Sequence, residues 1–561
     1  MTDVLLIQPP IRDYYLTAKR TLPYGLACIA ASLQKQGFSV ELLDALATPK
    51  SRLLDWPREM AYLEPFYGRE DCSPFALFHT FRHYGYSFEH IEKRVKASGA
   101  PLVGISSLFT AYAEEALETA RRVKKANPGC KVVLGGHHPT ALPEAVLACK
   151  AVDFVIRGEG EVSMPLLART VIESARAADL KSIPGIGFRL ETGEYAIHPP
   201  AIMNSLDDFP LPATGWMNNA YYRRKNRRST VITTSRGCPM TCSYCSLGKA
   251  SSVPYRKRSL PIIIEEIQNS VMVCEAGFID FEDENLALDK KGFMGLLNEI
   301  HKKFHGLGLE FRAMNGLYPP SLDEEIIAAM KVAGFKTLNL AVASTHPGQL
   351  KRFSRPDVSR SFEKALEWAE KYHMEAVAYM IAGAPHQSPE DSLNDLLYLA
   401  DKRALAGLSI FYPAPGSSDF ERCQAMGILP APHSLLRSSA LPLSHTTSRT
   451  DAVTLLRLSR ILNFMKSLVD DGKDLPTLAQ EPGLCPLEPL AVENRSQSGV
   501  QLLKAFLQDG KIRGVTRQGE VYEHRISPAL TLGFLKKLNI SRVSGCSRGV
   551  GFIQHLPDDL G

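Results

Sequence analysis

The chain has 561 residues, 45% of them apolar and 22% charged. That is a globular composition, and it excludes a disordered or fibrous protein. The formal charge of +5 is too mild over this length to indicate a nucleic-acid partner. Basic charge is local: RRKNRR at 223–228, and nine Lys/Arg against five Asp/Glu over 501–561. Eleven cysteines are too few for a disulfide scaffold, and three of them fall within eight residues, at 238, 242 and 245. There is no long apolar run, and MTDVLLIQPP lacks a basic leader and a cleavage site. The expectation is a cytoplasmic protein without a membrane span.

In chain order, VLLIQ at 4–8 reads as a buried strand stopped by Pro9-Pro10. A helix over 24–35, a strand over 39–44, a strand over 102–106, a helix over 114–125 and strands over 131–134 and 152–156 follow. This alternation predicts a doubly wound parallel sheet over residues 1–183, with ligands beyond the strand carboxyl ends. Those ends are Pro9-Pro10, Ser106-Ser107, Gly135-Gly136-His137-His138 and Arg157-Gly158-Glu159-Gly160. An aromatic-rich insertion at 61–90 reads as a local hydrophobic cap, with a lid over the ligand face as the alternative. Residues 184–228, Pro-rich and then basic, read as a solvated linker.

A second alternating block follows. Strands are expected at 230–234, 278–281, 310–313, 337–342, 376–381 and 408–412, with helices between them. Six such units suit a partial (β/α)6 barrel over 229–430, its site at the strand carboxyl ends. Residues 431–561 form a small carboxyl-terminal α+β region, helical at 451–469, to which substrate recognition is assigned.

The three clustered cysteines sit in SRGCPMTCSYC, directly after the strand VITT. Cys238, Cys242 and Cys245 can place three thiolates around one metal centre, one fewer than ferredoxin clusters or structural zinc require. A three-cysteine zinc site with a distant histidine is the plainer alternative. The Cys-x3-Cys-x2-Cys spacing, with Tyr244 before the last cysteine, resembles the signature of radical S-adenosylmethionine (SAM) enzymes. The resemblance implies a [4Fe–4S] cluster on these thiolates and SAM on the open iron, cleaved reductively to a 5′-deoxyadenosyl radical. It also implies SAM contacts at Tyr244 (adenine), at Glu282 and Asp283 (methionine amino group) and at Arg312 (carboxylate). Ile381, Gly383 and Pro385 in MIAGAP match the adenine-contacting turn, and Phe411–Gly416 resembles a later Pro-x-Pro-Gly turn. Where relatives commonly have Glu-Ser after the fourth strand, this chain has Ala343-Ser344. Ser344 keeps its match, and a carboxylate near the ribose is lost.

LLIQPP, GISSLFTAY, VVLGGHHPT and VDFVIRGEGE together resemble the cobalamin-binding domain of cobalamin-dependent radical SAM enzymes, over about 1–165. Matching positions are Pro9, Pro10, Ser106, Ser107, Leu108, Gly135, Gly136, His137, Gly158 and Glu159. The Asp-x-His-x-x-Gly motif is absent, so cobalt should lack a histidine ligand from that loop. The resemblance implies methylation of an unactivated carbon in a small molecule, lipid precursor or peptide. An external electron donor of flavodoxin or ferredoxin type is implied as well. Alternatives are a radical rearrangement or cyclisation on the same scaffold, and a non-enzymatic cobalamin or redox sensor. A tRNA methylthio transferase would need a second three-cysteine cluster, and Cys28, Cys72, Cys130 and Cys149 are too scattered. Cys546 reads as a bystander thiol.

Overall fold

A computed structural model of the chain describes residues 2–14, 22–173, 177–217, 220–224, 226–247, 253–442, 446–481, 490, 492 and 494–546. The amino-terminal sheet is built from β1 (Val4–Gln8), β2 (Val40–Asp44), β3 (Leu102–Ser106), β4 (Lys131–Gly135), β5 (Phe154–Ile156), β6 (Ile186–Arg189) and β7 (Tyr195–Ile197). Its order is β7-β6-β5-β4-β3-β1-β2. The first five strands are parallel, and β6 and β7 add antiparallel at one edge. Strand faces alternate. Leu5, Ile7, Val103, Ile105 and Leu134 enter one hydrophobic core, while Val4, Leu6, Leu102, Val133 and Ile156 enter the core on the other side. Helices α1 (Tyr24–Lys35), α2 (Ala113–Ala126) and α3 (Gly160–Ile172) cover these faces. The order in which strands are added reverses between β1 and β3, and a crevice for ligand belongs at the carboxyl ends of those two strands.

The second block has β8 (Arg227–Ile232), β9 (Ala276–Phe281), β10 (Glu310–Arg312), β11 (Thr337–Ala343), β12 (Glu375–Ala382) and β13 (Leu405–Ile410). They are parallel and run in sequence order, with β10 and β11 linked by isolated bridges at Phe311–Phe335 and Leu317–Leu340. Ile232, Ile279, Phe281, Phe311, Leu338, Leu340 and Val342 enter the large core with the surrounding helices. The alternate positions, among them Asp280, Arg312, Asn339 and Tyr379, lie on the opposite, concave face. Helix α4 (Arg449–Asp470) closes the β13 edge: Asn463 accepts from Ala406 N at 2.8 Å and donates to its O at 3.0 Å. An edge strand is thereby capped rather than left open.

Residues 184–228 are not a free linker. Gly193, at φ 87°, turns β6 into β7, and Arg223–Arg224 pair antiparallel with Arg227–Arg228 as a hairpin leading into β8. The aromatic insertion packs inward. Tyr14, Trp56, Tyr67, Phe78 and Phe81 form edge and tilted contacts with ring centroids 5.2–6.4 Å apart, and Phe75 meets Phe464 of α4 at 5.6 Å. It caps the carboxyl-terminal helix rather than the strand ends. β13 starts three residues before the expected strand, its Gly407 admitting the Tyr379 ring.

Buried ion pairs join the parts. Arg437 reaches Asp13 at 3.1 Å and the carbonyl of Ala111 at 2.6 Å, and Tyr112 donates to the same Asp13. Glu159 pairs with Arg256 at 2.8 Å, and Arg236 with Glu161 at 2.6 Å. Among the described residues, no helix is long and apolar enough to cross a membrane.

Candidate active site

Cys238, Cys242 and Cys245 lie in the loop after β8, at the carboxyl end of the strand, and all three are free thiols. Asp283 anchors the start of this loop. Fully buried, it accepts from Thr234 N and Oγ1 and from Ser235 Oγ, at 2.6–3.1 Å. Gly237, at φ 87°, runs so close to Pro254 that a Cβ would lie 2.3 Å from its carbonyl oxygen. Burial pushes the Cys238 thiol up and the Cys245 thiol up to about 11, so metal loading must displace protons. Among the described residues, no three Cys, His, Asp or Glu side chains already stand at metal-holding spacing. The thiols are close enough to feel one another's charge. Three soft, uncommitted donors in one loop suit an iron–sulfur cluster better than a hard cation.

Tyr244 and Ile381 come together in one apolar cluster with Ala343, Phe353 and Phe411, and the Tyr244 ring meets Phe353 edge-on at 4.9 Å. Gly383, at φ 73°, and Pro385 are buried in the turn after β12. Other expected contacts are committed within the protein. Arg312 grips Asp280 through Nη2 at 2.8 Å and Nε at 3.1 Å. Ser344 is 1% exposed and donates to Asp395 at 2.7 Å, beside Ala343 at φ 72°. Asp283 serves the loop rather than facing open space. Glu282, half-buried, follows β9.

Two more residues belong here: Glu284, next to the expected Glu282 and Asp283, and Arg355, which the sequence reading missed. Glu284 is exposed, yet burial around its carboxyl raises it to about 7, and its charge reaches Cys238 and Cys245. An exposed group with a desolvated charge marks the wall of a cleft. Arg355 donates through Nη1 to Tyr244 Oη at 3.2 Å and lies 3.7 Å from Cys242 Sγ. Its Nε is buried without a partner. Burial works against its charge, but Tyr244 and Cys242 outweigh that and hold its pKa above the usual value. No local motif flags Arg355, 110 positions after Cys245.

On the amino-terminal sheet, His137 is exposed while burial still lowers its pKa, the same signature of a cleft wall. Leu108 is 40% exposed, and Ser106, Gly135 and Gly136 are partly exposed. Gly136, at φ 122°, lets the turn pass Ser107, whose carbonyl oxygen would lie 2.6 Å from a Cβ. Pro9, Pro10 and Ser107 are buried. Gly158 is exposed but pressed on Ala201, and Glu159 is spent on Arg256. The two sets of strand ends meet at Gly416. A Cβ there would stand 3.6 Å from Ala141, which ends the short helix begun by His137, and 3.9 Å from the carbonyl of Ser246.

Two family models match the chain: a B12 binding domain over residues 76–168 and the radical SAM superfamily over 232–398. The chain thus carries a B12-binding domain and a radical SAM domain. An uncharacterized methyltransferase of Pyrococcus horikoshii is 28% identical, over 76% of this chain and 84% of that protein. Cytidylyl-2-hydroxyethylphosphonate methyltransferase of Streptomyces wedmorensis is 25% identical, over 77% and 84%. Further matches include other methyltransferases and anaerobic magnesium-protoporphyrin IX monomethyl ester cyclases. The fold resembles that of the radical SAM methyltransferase TsrM from Kitasatospora setae, with a TM-score of 0.60 at 16% identity, covering 82% and 89% of the two chains. The radical SAM family implies a [4Fe–4S] cluster, SAM and a reductant, and the B12-binding domain implies cobalamin.

Proposed function

We propose that the protein is a cobalamin-dependent radical SAM methyltransferase that methylates an unactivated carbon of a small molecule, lipid precursor or peptide. The arc of six parallel strands is read as its partial (β/α)6 barrel. The observation that carries this reading is the meeting at Gly416 of the cysteine loop and the His137–Ala141 helix. Those are the segments from which a cluster and a corrin would be held, and methyl transfer requires the two on one cleft. When bound, the cofactors supply the radical and the methyl carrier.

The chain's own residues position and shield. Cys238, Cys242 and Cys245 hold the cluster. Tyr244 and Ile381 offer an apolar wall for an adenine ring. Arg355, beside Tyr244 and Cys242, is assigned to the SAM carboxylate, and Glu284, whose charge reaches Cys238 and Cys245, to the amino group. Leu108, His137 and the turn glycines Gly135 and Gly136 form the face toward cobalamin, with no histidine entering from the loop after β1. Pro9, Pro10 and Ser107 shape that face from beneath. A reductant of flavodoxin or ferredoxin type delivers the electron.

The test is label transfer. Anaerobic protein reconstituted with iron, sulfide and cobalamin is given a reductant and methyl-labelled SAM. Label is expected in the bound cobalamin, and then in product once a substrate is supplied. SAM cleavage without label transfer to cobalamin or product would instead indicate rearrangement or cyclisation.

A further inference from the structure

Helix α4 carries a second cluster, which the proposed reaction does not use. Arg457 and Arg460 stand on neighbouring positions of one helix side where α4 meets the aromatic insertion. Arg457, 2% exposed, spends its Nη groups on Asp71 at 3.3 Å, on the Phe75 carbonyl at 3.0 Å and on the Phe66 carbonyl at 3.4 Å. Its Nε is buried without a partner. Among the described residues the Tyr67 hydroxyl is also buried without a partner, on a residue 1% exposed, and the charges of Arg457 and Arg460 reach it. Arg460 makes no hydrogen bond and no ion pair among the described residues, although part of its surface is open to solvent. Burial, with Arg457 and Arg495 nearby, lowers its pKa to about 10.

Acceptors are scarce. Asp71 is the carboxylate within reach of these arginines, and it is already engaged by His524 at 2.8 Å, by Arg457 and by the N–H groups of Ser73 and Val515. The Arg460 guanidinium, open in part to solvent, and the buried Arg457 Nε–H and Tyr67 O–H thus have no protein acceptor among the described residues. Buried cations and donors in this state are costly unless an anion completes them.

We propose that Arg460, Tyr67 and Arg457 form a binding site for an oxyanion, the phosphate or carboxylate group of a small organic ligand. The Arg460 fork matches two oxygens of such a group. Tyr67 donates to one of them, and Arg457, held by Asp71, adds charge from behind. This site goes beyond the methyl-transfer reading and is tested without turnover, so failure of either leaves the other standing.

The experiment titrates the full-length protein with inorganic phosphate and, separately, acetate, following heat of binding and thermal midpoint against chloride at matched ionic strength. Saturable binding of phosphate, acetate or both is expected, with a rise in the midpoint that chloride does not produce. The arm that binds identifies the ligand's class. Arg460→Gln should weaken binding by about tenfold or more, as loss of a charge-assisted pair requires. Tyr67→Phe, which keeps the ring's packing, should weaken it by a smaller factor. Arg460→Met should stabilise the anion-free protein and abolish the anion's effect on the midpoint. The proposal is overturned if neither oxyanion binds beyond chloride, or if Arg460→Gln and Tyr67→Phe both bind as tightly as the parent.

Discussion

His138 shows how a single side chain couples this fold to pH. It is 2% exposed, meets the His433 ring at 5.6 Å and has its pKa lowered by burial to about 4 from 6.5. Between those values the unfolded chain binds a proton that the folded chain does not. Stability is therefore fully present above pH 6.5 and is lost as pH falls toward 4, at about 1.4 kcal/mol per pH unit for one proton. Urea unfolding across this range should show that slope, and His138→Leu should flatten it by up to one proton. An unchanged slope in the variant would refute the assignment. Asp283 acts differently, since its carboxylate satisfies donors at both ends of the Thr234-Ser235 step. Asp283→Ala strands those donors and should cost about 2–4 kcal/mol in urea unfolding. It should also lower the iron the cysteine loop retains.

At the scale of elements, turns decide whether strand ends can meet a ligand. Gly158, at φ 80°, ends the turn after β5, where a Cβ would lie 2.3 Å from the Ala201 carbonyl oxygen and 2.7 Å from its nitrogen. Gly158→Ala forces backbone against backbone at a positive φ. It should destabilise the protein by about 2 kcal/mol or more, read as a lower urea midpoint. The strands of both blocks were legible because buried parallel strands read as short apolar runs closed by Gly or Pro, as VLLIQPP and KVVLGG do. The β6–β7 hairpin was not, since its Glu-Thr-Gly turn sits between short, weakly apolar runs in a stretch that otherwise looks like a linker. The cysteine loop was legible because its ligands are local in sequence. Glu284 was legible as part of the stretch after β9, whereas Arg355 could not be told from an ordinary charged residue until the fold brought it to the thiols. The commitments of Arg312 to Asp280 and of Ser344 to Asp395 likewise depend on neighbours 32 and 51 positions away.

The molecule as a whole is held by charges that cross between its parts. Arg437, from the carboxyl-terminal region, is 7% exposed and depends on Asp13 and on the carbonyls of Arg12 and Ala111, which flank the ends of the amino-terminal sheet. Asp13→Ala leaves that guanidinium buried without its carboxylate and should cost about 3–5 kcal/mol. Asp13→Ala with Arg437→Met should recover much of the loss, and unfolding of the single and double variants checks this. Such bridges set the distance between the cysteine loop and the His137 face. The most direct test of the account is the fate of SAM on anaerobically reconstituted, reduced protein, comparing the parent with Cys242→Ala. The account predicts iron–sulfur absorbance and 5′-deoxyadenosine formation in the parent and neither in the variant. Undiminished 5′-deoxyadenosine formation by Cys242→Ala, or no cluster in the parent, would contradict it.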